Sequence, residues 1–165
     1  PSLITSLAIV ATIDRVAHNL HTTLSSYLRA RVARDPDVDL PTQWSVYRFI
    51  SWETGHHQGI ELPGLFVHTA YRPLTTQPDD PWRAQGPDIV VGFLLRCHRE
   101  RLEMTARLGA YVSEALVDFA MAANYEHPHC HNFTNFGMPQ ADFDWRVGGA
   151  IIFGLVDGAP GLALT

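Results

Sequence analysis

The feature that most restricts how this chain can fold is a strand–helix–strand pattern that is written twice. Residues 1–7 alternate apolar and polar side chains roughly, as a half-buried strand does. From 12 to 34, Ile13, Val16, Ala17, Leu20, Leu24, Tyr27 and Leu28 recur at three- and four-residue spacing, which predicts an amphipathic helix. Thr12 suits its N-cap. Asp35-Pro36 ends it, because the residue before a proline is pushed out of the α region. Residues 43–51, rich in β-branched and aromatic side chains, predict a strand, and 65–71 a shorter one.

Residues 73–87 hold four prolines, Gly86 and the Asp79-Asp80 pair, the composition of a connector. The pattern then restarts. Residues 88–95 are a strongly apolar strand. Residues 100–124 place Leu102, Ala106, Gly109, Val112, Leu116, Phe119 and Ala123 on one helical face, with Asn124 suited to a left-handed end. Residues 129–136 and 147–155 predict two further strands. At an offset of 86 (87 − 1, and 130 − 44), Pro1 falls on Pro87, helix on helix, and Trp44 on Cys130. The expected architecture is α/β: one domain of two fused β-α-β units, 1–72 and 88–165, joined by 73–87. A helix between two strands requires a crossover and so a parallel pair. The expected sheet therefore has four strands, mainly parallel, with both helices on one face.

A chain of 165 residues is long enough for a sizeable core. A net charge of −5 argues against nucleic acid or an anionic membrane surface as the partner. No run reaches the ~20 apolar residues of a membrane span, and the opening stretch has no basic leader, so a cytoplasmic location is expected. Cys97 and Cys130 are the only cysteines and make no disulfide framework.

Pro1 is the first candidate for chemistry. A proline at an unblocked N-terminus is a secondary amine fixed in a ring, and an α-amino group titrates at roughly 7.7–8. A nearby cation brings it into the range of a general base at neutral pH. Arg96 and Arg99 stand where the most apolar strand ends, Leu95-Arg96-Cys97-His98-Arg99. Guanidinium groups hold carboxylates through paired, charge-assisted hydrogen bonds. Surface pairing with Glu100 or Glu103 is the plainer role for them. Asp144 is placed to activate water or orient Pro1, and as plainly to form a turn before Trp145. His98 offers a further hydrogen bond. His127, His129 and His131 alternate, as three zinc ligands on one strand face do, but no carboxylate or cysteine completes a ligand spacing, so no metal is expected.

These residues resemble the tautomerase superfamily, in particular its long fused members, the cis-3-chloroacrylic acid dehalogenases and malonate semialdehyde decarboxylases. The resemblance rests on Pro1, the repeated unit, the Arg96-x-x-Arg99 strand end, and Phe136-Gly137-Met138-Pro139 leading to Asp142-Phe143-Asp144-Trp145 and Gly148-Gly149. It covers nearly the whole chain, and matches poorly from 52 to 86. It implies a homotrimer and cofactor-independent proton transfer on a small keto or unsaturated carboxylic acid. Pro1 is then the acid or base, Asp144 its assistant, and Arg96, Arg99 and His98 the substrate-binding set. Tyr27-Leu28-Arg29 stands where the dehalogenases have a histidine, and a residue near Trp44 where the decarboxylases have an aspartate. Neither specialised activity carries over, and a tautomerase, isomerase or hydratase-type enzyme with its own substrate is expected. A histidine-liganded metalloenzyme and a non-catalytic binding domain are the alternatives.

Overall fold

The computed structural model describes residues 6–52, 59–70, 88–97, 99–122, 126–136 and 145–154. They form α1 (Ser6–Val32), β1 (Ser45–Arg48), β2 (Gly64–Ala70), β3 (Asp88–Cys97), a 3-10 turn (Arg99–Arg101), α2 (Leu102–Ala122), β4 (Glu126–Phe136) and β5 (Trp145–Gly154). The strands make one five-stranded sheet in the order β1-β2-β3-β5-β4. The α/β class holds, but the mainly parallel sheet of four strands does not. Only β1 and β2 pair in parallel, while β2/β3, β3/β5 and β5/β4 are antiparallel.

The reasons lie in the connections. β3 and β4 flank β5 and both run against it, so β3-α2-β4 is a parallel pair split by the strand that follows. In the first half, α1 already includes Ser6 and Leu7, which the alternating pattern assigned to a strand. Leu7 is 81% exposed, whereas Ile9 packs on the core in phase with Ile13, Val16 and Leu20. Helical spacing thus runs further back than Thr12, and the expected strand of 1–7 keeps only positions outside the described residues. The connector at 73–87 also lies outside them.

Both helices pack on one face of the sheet, as expected. Ile13, Val16, Leu20, Leu24 and Leu28 of α1 share one apolar core with Val112, Leu116 and Phe119 of α2. The sheet supplies alternate residues to it: Leu65 and Val67, then Ile89, Val91, Phe93 and Leu95, then Val147 and Ile151. That core draws on both halves of the sequence. Outside it, Arg31 of α1 reaches Asp118 at 2.6 Å and Glu114 at 3.4 Å on α2.

The other face is covered by the chain between β1 and β2. Phe49 takes a left-handed backbone (φ 66°) and donates its N–H to the Val67 carbonyl at 2.8 Å, which turns the chain over the sheet. Trp52, 2% exposed, then packs with Phe66, Val90, Leu94 and Ala150. Tyr47 stacks on Phe66 with ring centroids 5.3 Å apart, and its hydroxyl accepts the Glu61 N–H at 2.7 Å. The apolar second face of β3 is covered by this chain at Val90 and Leu94.

Candidate functional site

β3 outruns β2. Their pairing ends at Gly64 opposite Leu94, so Leu95, Arg96 and Cys97 continue beyond the neighbouring strand. Leu62 and Pro63 flank that gap, the segment at 39–41 borders it, and the chain leaves β3 through the 3-10 turn into α2. The result is an open pocket of about 210 Å³. Its apolar wall comes from Leu62, Pro63, Leu95, Met104 and Leu108, and its polar groups are Asp39, Arg96, Arg101 and Thr105.

The polar groups come from the 39–41 segment, β3, the 3-10 turn and α2. Arg96 is exposed at the end of β3, two residues beyond Leu94, and it also interacts with the protein itself. Arg146 of β5 is its register partner. Arg101 closes the 3-10 turn ahead of α2, and its guanidinium lies 4.0 Å from the Asp39 carboxylate with both side chains largely exposed (63% and 82%). That separation makes a weak, solvent-screened pair.

The wall that carries Asp39 is tied down at its other end. Asp35, with its side chain 12% exposed, is held by the Arg107 guanidinium and accepts the Tyr111 hydroxyl at 2.9 Å. The Arg107 hydrogen bond, with that of Tyr111 and the Arg107 charge, holds the Asp35 carboxyl below the usual carboxylate range against the opposing effect of burial. Tyr111 is shifted up in turn, first by its hydrogen bond to Asp35. This cluster clamps the end of α1 to α2. It is a structural clasp, and it fixes where the chain from 35 to 41 begins.

Of the expected site residues, the structure brings Arg96 to a pocket. Arg99 lies in the 3-10 turn, with a side chain that is not described. Pro1, His98 and Asp144 lie outside the described residues, so their proximity to Arg96 is untouched by the geometry. Sequence reasoning missed Arg101 and Asp39. The signal for Arg101 was its position just ahead of the first helical turn after an arginine-bearing strand end, and for Asp39 the acid-rich run Asp35, Asp37, Asp39.

The three alternating histidines fare differently. All belong to β4, yet its register against β5 shifts between Glu126 and His129 and again between Cys130 and Asn132. Each shift puts an extra residue into one strand, and the side chains of the three histidines are not described. Among the described residues, no group of three or more His, Cys, Asp or Glu side chains is arranged to hold a metal. Among them, too, no helix is long and apolar enough to cross a membrane.

Compared with known proteins, the chain matches no family model and no curated protein. The pocket at the end of β3 brings two arginines, Asp39 and Thr105 together with an apolar wall.

Proposed function

We propose that this pocket binds a small carboxylic acid through Arg96 and Arg101, and that the chain acts on the acid by moving a proton without a cofactor. One observation supports the binding half of the reading: two arginines from different elements line a single, partly apolar pocket. A guanidinium offers a carboxylate two directed, charge-assisted hydrogen bonds, and it stays charged at any working pH.

The catalytic half comes from the tautomerase resemblance alone. In that reading Pro1 is the acid or base, Asp144 assists, and the enzyme is a cytoplasmic homotrimer of the isomerase or hydratase type. A second reading, binding without turnover, draws support from the start of α1 at Ser6 and from the mostly antiparallel sheet, because both depart from the repeated β-α-β unit behind the resemblance.

Calorimetric titration tests the binding half with 4-methylpentanoate and the alcohol of the same carbon skeleton. The acid binds and the alcohol does not. Arg96→Gln weakens the acid by ~10–100-fold, the equivalent of the roughly 1.5–3 kcal/mol of a hydrogen bond to a charged group. This is less than a fully buried pair would lose, since Arg96 is exposed. Equal binding of acid and alcohol, or an Arg96→Gln protein with undiminished affinity, overturns the proposal.

A further inference from the structure

We infer that the ligand of this pocket carries an ammonium group beside its carboxylate: it is an amino-acid-type zwitterion with an apolar side chain. The inference rests on the carboxylate reading of Arg96 and Arg101 and adds a role for Asp39. Asp39 lines the same pocket, and its carboxylate lies 4.0 Å from the Arg101 guanidinium. A ligand acid seated on Arg101 is therefore brought within a few ångströms of a second carboxylate. For a simple monocarboxylate that proximity is a like-charge repulsion inside its own site.

An amino group on the ligand reverses the sign of that contact. A carboxylate has about four acceptor positions, and one long pairing with Arg101 leaves most of them open. Asp39 is 82% exposed, so a ligand ammonium reaches it without displacing any packed group. The segment that carries Asp39 is pinned through Asp35 to Arg107 and Tyr111, which fixes its start against α2. Acid and amine thus meet charges of opposite sign within one pocket. Leu62, Met104 and Leu108 provide the apolar surface for the rest of the molecule.

The test is calorimetric titration of the full chain with L-leucine, 4-methylpentanoate and 3-methylbutylamine, which share a branched skeleton and differ in the charged groups. Leucine is expected to bind at least ~10-fold tighter than 4-methylpentanoate, a difference of about 1.4 kcal/mol, and the amine weakest of the three. Asp39→Asn removes the leucine advantage and tightens 4-methylpentanoate, because the repulsion is gone. Asp39 is exposed, so the variant folds, and its thermal unfolding verifies that. If 4-methylpentanoate binds as well as leucine, or if Asp39→Asn keeps the leucine preference, the zwitterion inference is overturned while the carboxylate reading stands. If neither acid binds, both fall.

Discussion

Gly92→Ala tests the cover over the second face of the sheet. A Cβ added at Gly92 meets Trp52 at 2.4 Å from Cγ and 2.5 Å from both Cβ and Cδ1. These atoms lie at the root of the side chain, so no rotation about a terminal bond makes room. Either the strand shifts or Trp52 leaves its seat among Phe66, Val90, Leu94 and Ala150. Overpacking of a tight core costs about 1–3 kcal/mol. Expelling an aromatic side chain costs ~3–5 kcal/mol and bounds the effect from above. The reduced freedom of the unfolded chain returns about 0.4–1 kcal/mol. The expected loss is therefore about 2–3 kcal/mol.

Gly64→Ala is the control, because its nearest neighbours are the outer ring atoms of Phe66 at 3.1 Å and 3.2 Å and the Glu61 carbonyl at 3.2 Å. It should cost less than ~1 kcal/mol, since a few tenths of an ångström of movement relieves it. Urea unfolding followed by far-ultraviolet circular dichroism reads both without relying on tryptophan emission, with midpoint and slope fitted separately. A Gly92→Ala protein within about 0.5 kcal/mol of the parent, or a Gly64→Ala protein less stable than Gly92→Ala, refutes the placement of Trp52 and the covering role of the β1–β2 connection.

Three further outcomes are expected. The Asp35 carboxyl sits below its unfolded value of about 3.9, so its contribution to stability is present above that value and is lost as pH falls through the lowered one. Asp35→Asn should then destabilise the protein at pH 7 and do so less as the pH is lowered through the carboxylate range, read by thermal unfolding across that range; a destabilisation that does not change with pH would falsify the clasp. If Pro1 is the proton-transfer group, a protein beginning at Pro1 should catalyse solvent-deuterium exchange into 4-methyl-2-oxopentanoate, and retaining a methionine ahead of it should abolish the exchange; undiminished exchange in the blocked protein removes Pro1 from the mechanism. Sedimentation velocity at micromolar concentration tests the homotrimer that the resemblance implies, and a monomer ends that part of the proposal.

The legible parts of the fold were those where one period ran long. The spacing through Ile13, Val16, Leu20 and Leu24 and through Val112, Leu116 and Phe119 marked both helices, and the run from Ile89 to Leu95 marked the central strand. The start of α1 was misread because a few residues at 1–7 satisfy a two-residue period while the helical phase through Ile9 is visible only over a longer window. Strand direction was not legible at all. It depends on β5 entering between β3 and β4 and on β1 and β2 pairing in parallel, and neither leaves a local pattern. At the site, Arg96 was legible because a charge at the end of an apolar strand stands out. Arg101 and Asp39 were not, since their meeting depends on how the chain after α1 is clamped by Arg107, 72 residues away from Asp35 in sequence.

The central claim, that the pocket beside Arg96 and Arg101 takes a small organic acid, is tested most directly at methionine methyl groups. The chain has three methionines, so ¹³C-methyl labelling gives a spectrum that single substitutions assign. Met104 lines the pocket, while Met121 is 65% exposed near the far end of α2. Seventeen residues (121 − 104) of helix separate them, about 25 Å at 1.5 Å per residue. On titration with 4-methylpentanoate, the Met104 signal should move and saturate, the Met121 signal should stay in place, and Arg96→Gln should shift the Met104 curve to higher concentration. A Met104 signal that does not respond, or one that drifts together with Met121 without saturating, would contradict the account.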